Sequence, residues 1–503
     1  MNYTTAPEDN DFRKAMHKSL KLQAISGIGY NTLAKIIIFI LSTVSSVILA
    51  RNLTAGDYGI IGFGMIFINF LMQFSDLGIS SAVIQKHELN DDALYTGFTL
   101  KCILGVAAFS LAFFLSPLSR YFFDNPAISD VIKILSLNFI LSSFAFIPTC
   151  LLTRNLDYKK MVIPQAVSSA MYHMLAILLA INGFKYWSIV IANICSVIVN
   201  IIALNTVRPT KIRFTIDQKV AVELLRFGGN LFLSGVVIFA IFNADNFIIG
   251  SVMGSAILGY YALAFNWGSI ICTVVHDSVH SVLFPAFSKI QHDRDAIKKS
   301  YLRVLEYVSF VSVLVNSSLF IGSRDFLYYI LGHGTDRWLP AIYAFQIMCV
   351  YGIIRSMTEP VGNVIMAAGK SSLLSRSTII VGVIELSLLY PVLKYFNIEG
   401  VAVLVTVAYS FQYFIYYPFL KSDFNISLRQ IFSSVMPSLL SVLFMVCAAV
   451  LYDYFISTTL ITFILKMLMV GVVYVVSYGF ITRWRMIKEI KEIMDMREVP
   501  KNQ

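Results

Sequence analysis

The sequence predicts an all-α polytopic membrane protein of about fourteen transmembrane helices. Three observations carry that prediction. Hydrophobic residues make up 57% of the 503-residue chain and charged residues only 14%, against about 25% charged in an ordinary soluble domain. The apolar residues gather in runs of about 20, the length a helix needs to cross the hydrocarbon. Lys and Arg fall between those runs, dense in alternate gaps and sparse in the others, as membrane topology requires.

The first 27 residues are polar and charged, with an amphipathic piece at 12–22. The apolar run that follows reaches about 23 residues, too long for the core of a cleaved signal, and reads as a permanent first span. Spans 1 to 6 are expected at roughly 28–50, 57–79, 94–116, 128–153, 161–182 and 184–206. A polar linker at 207–226 separates them from spans 7 to 12, at roughly 227–250, 257–284, 303–322, 341–367, 373–395 and 397–420. Two further spans lie within 421–482, at roughly 431–453 and 459–482, and a basic tail fills 483–503. An unpaired backbone group in lipid costs several kcal/mol, so each run is read as a helix.

With the N-terminus placed in the cytoplasm, 28 of the 39 Lys and Arg residues fall in cytoplasmic segments, six fall outside, and five lie within spans. Both termini are therefore expected in the cytoplasm. The longest outer segment is 322–340, with a short interfacial helix expected at 325–331.

The net charge of +10 is spread among membrane loops, not clustered on a soluble face, which excludes a nucleic-acid partner. Cys102, Cys150, Cys195, Cys272, Cys349 and Cys447 all lie in apolar runs without metal-ligand spacing, so they read as small buried residues. No P-loop, zinc motif or nucleophile elbow occurs. No cofactor is implied.

An internal repeat is faintly visible. VILARNLTAGDYG at 47–59 and FIIGSVMGSAILG at 247–259 share Ile48 with Ile248 and Gly59 with Gly259, with small residues in similar places. Two halves of six spans each would produce such an offset.

The stretch ILARNLTAGDYG at 48–59 resembles the first outer turn of Wzx-type polysaccharide flippases, in the multidrug/oligosaccharidyl-lipid/polysaccharide exporter superfamily. DLGISSAVIQ at 76–85, RNLDY at 154–158, and NADNFIIG at 243–250 followed by LGYY at 258–261 are similar to the same group in order and spacing. The similarity runs over nearly the whole chain and is closest to the branch containing the colanic-acid exporters. It implies two six-helix lobes in a V plus two C-terminal helices, a central cavity and alternating access. It also implies an undecaprenyl-diphosphate-linked oligosaccharide as cargo and a bacterial inner-membrane location. A coupling ion (H+ or Na+) and partnership with a polysaccharide polymerase and a chain-length regulator would fit such a protein, beside the membrane lipid itself.

Ionisable groups inside spans are costly and mark candidate sites. Arg355 and Glu385 each lie about one residue from the centre of spans 10 and 11, at one depth, and Glu359 shares the Arg355 face at i+4. They read either as a cluster fixing helix packing or as one that gates and couples transport, with an Arg355–Glu385 pair at its centre. Lys35 and Lys101 lie some 6 Å to the cytoplasmic side of centre. They either snorkel to the headgroups or, with Arg355, neutralise a diphosphate. Asp76 closes span 2, and Asp245 sits between Asn243 and Asn246 in span 7. Asp277 stands beside His276 and His280 in span 8, a hydrogen-bonded or pH-responsive group and a poor metal site. Asp76, Asp245, Asp277, Glu359 and Glu385 are the coupling candidates. His173 reads as a packed histidine, and Tyr409, Tyr413, Tyr416 and Tyr417 read as lipid or helix packing.

Two other functions compete. A cation-coupled small-molecule antiporter of the same superfamily would favour cavity carboxylates, which Asp245, Glu359 and Glu385 could supply. A membrane polysaccharide polymerase or glycosyltransferase would need a large outer loop or a carboxylate-rich catalytic loop, and 322–340 is short. The chain is therefore expected to be a transporter and not an enzyme.

Overall fold

The computed structural model describes residues 35, 37–86, 89–122, 125–155 and 157–485, and every regular element among them is helical. Two compact units divide the chain, Met1–Ala240 and Ile241–Gln503.

The first unit holds α1 (Ile37–Asn52), α2 (Ala55–Asp76), α3 (Ile79–Gln85), α4 (Asp91–Leu115), α5 (Ala127–Ser143), α6 (Phe146–Arg154), α7 (Tyr158–Ile181), α8 (Trp187–Val207) and the start of α9 (Gln218–Met253). The turn between α1 and α2 is a capping box. Thr54 Oγ1 accepts from the Asp57 backbone N–H at 3.2 Å, and Asp57 Oδ2 accepts from the Thr54 N–H at 2.9 Å. Two of the orphan donors at the start of α2 are thereby satisfied. At the other end Leu77 (φ 41°) and Gly78 (φ 69°) are left-handed and break α2 from α3. A Cβ on Gly78 would stand 2.8 Å from the Gly228 Cα, so a side chain there would push α9 away. Ile79, Val83, Phe98, Phe146 and Leu224 form a buried cluster under this junction.

The expected linker is extended only over 209–217 before α9 begins. The N–H groups of Thr215 and Asp217 donate to Thr99 Oγ1 and Thr96 Oγ1 on α4, each at 3.1 Å. Lys86 Nζ pairs with Glu223 at 2.5 Å.

The second unit holds the rest of α9, then α10 (Ser255–Gly268), α11 (Ile270–Lys289), α12 (Arg294–Ile321), α13 (Ile342–Ala367), α14 (Ser371–Phe424), α15 (Leu428–Phe455) and α16 (Leu460–Ile481). Short helical turns at Ser323–Asp325 and Phe326–Leu331 occupy the position expected for an interfacial helix. α13 is the central element, packed against α10, α11, α12 and α14. Its Gly352 lies so close to the Gly268 carbonyl that any Cβ would collide with it, the small-residue contact by which helices approach in lipid.

The helical run of α14 is 54 residues long, about 80 Å at 1.5 Å per residue, far more than a bilayer. It folds back at Asn397 (φ 54°, ψ −156°). Ser377 Oγ then meets Tyr416 Oη at 2.8 Å, and Lys370 Nζ meets Asp423 at 2.5 Å. The α15–α16 hairpin is tied to the rest of the unit at both ends. Near its loop, Lys466 Nζ lies 2.7 Å from Asp453 and 3.4 Å from Asp325. At the opposite end the buried Glu306 of α12 receives Tyr478 and Arg485.

Ten described helices are long and apolar enough to cross a membrane, eleven if the pair α5 and α6, bent by 53°, forms one span. Expected spans 11 and 12 share the one run of α14. Expected span 8 is divided between α10 and α11 at Ser269, and the expected first span is described only from Lys35.

Candidate functional site

A cavity of about 320 Å³ opens in the second unit between α9, α10, α13 and both halves of α14. Four of the expected residues, Asp245, Arg355, Glu359 and Glu385, line it together. Local helix geometry explains the grouping on α13, where Tyr351, Arg355 and Glu359 follow each other at i+4 on one face.

The pairing differs from the expected one. Arg355 does not pair with Glu385. Its Nη1 donates to Tyr351 Oη at 2.8 Å, its Nε stands 4.0 Å from Glu359 Oε1, and its Cζ lies 5.8 Å from the Tyr351 ring and 5.5 Å from the Tyr409 ring. Equal depth brought Arg355 and Glu385 into one cavity, but depth does not set rotation about the helix axis. Glu385 lines the same cavity as Asp245.

Asp245 is 5% exposed and its oxygens are well supplied with donors. Tyr261 Oη donates to Oδ2 at 2.8 Å, while the Asn246 backbone N–H and Nδ2 donate to Oδ1 at 2.7 and 3.0 Å. Such bonds offset the desolvation of a buried carboxylate. Tyr409 and Tyr416 line the cavity, although their spacing alone suggested packing. Sequence reasoning missed Tyr261 and Tyr351. The signal for Tyr351 was its i−4 relation to Arg355, and Tyr261 lay within the LGYY motif.

In the first unit Lys101 is buried and its Nζ stands 2.6 Å from Asp76 Oδ1. Ser80 Oγ donates to the same oxygen at 2.6 Å. Lys101 therefore does not snorkel. Lys35, just ahead of α1, is exposed. The side chains of His276, Asp277 and His280 lie outside the described residues. Among the described residues no group of three or more His, Cys, Asp or Glu could hold a metal ion.

Chemically, the second-unit cavity offers one guanidinium with donors to spare, a pair of packed tyrosine rings beside it, and the polar groups of Thr358, Asn363 and Gln412. This combination recognises anions and hydroxyl-rich ligands. The carboxylates Asp245 and Glu385 in the same lining suit a proton or a cation.

Comparison with known proteins agrees with the resemblance read from the motifs. The chain is 26% identical over 362 residues to the lipopolysaccharide biosynthesis protein WzxC of Escherichia coli K12, covering 70% of this chain and 71% of that one. It is 28% identical over 269 residues to the succinoglycan biosynthesis transport protein ExoT of Rhizobium meliloti, covering 53% and 54%. Its fold superposes on the lipid II flippase MurJ in an inward closed conformation with a TM-score of 0.71 at 15% identity, covering 90% of this chain and 98% of that one. The polysaccharide biosynthesis protein family matches residues 48–343, more than half of the sequence, and this multi-pass membrane protein belongs to that family.

Proposed function

We propose that the protein flips an undecaprenyl-diphosphate-linked oligosaccharide across the bacterial inner membrane by ion-coupled alternating access. The carrying observation is the second-unit cavity, where Arg355 lies against Tyr351 and Tyr409 beside amide and hydroxyl groups. Membership of a polysaccharide biosynthesis family supports the cargo class. The residues proposed to neutralise the diphosphate are Lys35 and Lys101 in the first unit, Lys101 by exchanging Asp76 for phosphate, and Arg355 in the second. Asp76, Asp245, Asp277, Glu359 and Glu385 carry the coupling and gating. Both termini face the cytoplasm, and the repeat units delivered outside feed a polymerase and its chain-length regulator.

The test is genetic and chemical. Deleting the gene should remove the surface glycan while its lipid-linked repeat unit accumulates in the membrane, and the wild-type chain should restore export. Normal glycan after deletion would refute the reading. The carboxylates Asp245 and Glu385 favour a second reading, export of small organic cations. That reading predicts drug sensitivity in the deletion strain with glycan unchanged.

A further inference from the structure

A second recess of about 380 Å³, sharing no lining residue with the cavity described above, opens where the two ends of α14 meet. Because α14 folds back at Asn397, its first turn and its last turn sit side by side at one membrane face. The start of the helix contributes its N-cap residue Lys370, Ser372 in the first turn and Arg376 in the second, and its end contributes Phe419 and Ser422. Ser372 and Arg376 share a face at i+4.

The charge arrangement is unusual for a site that only closes a hairpin. Lys370 Nζ stands 5.0 Å from the Phe419 ring centroid and 2.5 Å from Asp423 Oδ2, and Ser422 Oγ donates to the other Asp423 oxygen at 2.9 Å. Arg376 adds a second cation to the lining of the recess. The lysine side chain stays 50% exposed, which leaves its remaining donors reachable. The start of α14 adds the positive end of a long helix to the same place.

We propose that this recess binds a phosphate-bearing anion at the membrane boundary, held by Lys370 and Arg376 with Ser372 donating. Asp423 occupies Lys370 until the anion arrives. The chemistry fits the phosphate of an anionic phospholipid or the diphosphate of a lipid-linked sugar. The inference does not rest on the flipping reading, since binding is measured without transport.

The experiment uses the full-length chain purified in a neutral detergent. Dissociation constants are measured for short-chain phosphatidylglycerol, short-chain diacylglycerol and inorganic pyrophosphate. Phosphatidylglycerol should bind and diacylglycerol should not. Lys370→Gln and Arg376→Gln should each weaken binding roughly tenfold, the loss of one charge-assisted hydrogen bond. Asp423→Asn should tighten it, because the competing carboxylate is gone. This opposite sign keeps the proposal testable even if a basic-residue variant fails to fold. Competition by pyrophosphate would assign the site to a diphosphate, and binding of phosphatidylglycerol without competition would assign it to bilayer lipid. Affinities unchanged across the three variants would overturn the proposal, whatever glycan export does.

Discussion

The ammonium of Lys101 and the carboxylate of Asp76 stand 2.6 Å apart, tying α4 to the last turn of α2. The lysine side chain is 8% exposed and the aspartate 33%, so the cation depends on this partner more than the anion does. Asp76→Asn should therefore destabilise the protein by roughly 1–3 kcal/mol, below the range for a fully buried pair. Adding Lys101→Met should recover much of that loss, because the stranded charge is removed. Thermal unfolding of the purified variants in detergent checks this. If Asp76→Asn and the double variant melt together, the pair does not hold the junction.

Arg355 should not tolerate lysine. Its planar guanidinium lies near two tyrosine rings and donates to Tyr351, and an ammonium cannot reproduce that geometry. Arg355→Lys should insert at normal levels and lose most glycan export. In a stability double-mutant cycle, Arg355 and Tyr351 should couple by more than about 0.5 kcal/mol, while Arg355 and Glu385 should be additive within about 0.5 kcal/mol. Strong coupling to Glu385 instead would restore the pairing suggested by depth alone.

That contrast marks how far the sequence could be read. Hydropathy and Lys/Arg spacing located the long helices. Depth within a span was legible too, since it follows from rise per residue, and it gathered Arg355, Glu359 and Glu385 correctly. What remained hidden was azimuth. Nothing in one helix of α14 says that Glu385 shares a cavity with Asp245, or that Tyr261, sixteen residues beyond the aspartate, reaches back to it. The reversal at Asn397 was visible only as a gap between two apolar runs. The meeting of Lys370 with Asp423 follows from that reversal.

Tyr261→Phe should cost about 1–3 kcal/mol, because it leaves a buried acceptor on Asp245 short of a donor. The same substitution in an Asp245→Asn background should cost less. If Asp245 carries coupling, Asp245→Asn should also cut export at least tenfold, on the order of 1.4 kcal/mol, with membrane levels unchanged. Full export from Asp245→Asn would remove it from that role.

Topology is open to direct test. The charge asymmetry of 28 against six predicts that reporters fused at 208–226 or after Gln503 are cytoplasmic and one placed at 322–340 is external. A tail found outside the cell would invert every assignment of loops to faces, including the side on which the α14 recess opens.

The α15–α16 hairpin should be held by ion pairs at both of its ends. Lys466 is only 3% exposed and sits between Asp453 and Asp325. Lys466→Met would leave Asp325, itself 19% exposed, without its cation, at a cost of about 3 kcal/mol. Combining it with Asp325→Asn should restore part of that. At the other end the Glu306 side chain is 9% exposed and its partner Arg485 59% exposed. Arg485→Gln would leave that buried carboxylate with Tyr478 as its remaining donor and should likewise cost about 3 kcal/mol. Melting temperatures of the three variants in one detergent give the comparison. Negligible shifts from both Lys466→Met and Arg485→Gln would mean that the hairpin is fixed instead by the apolar contacts of Val313, Met445, Val470 and Tyr474.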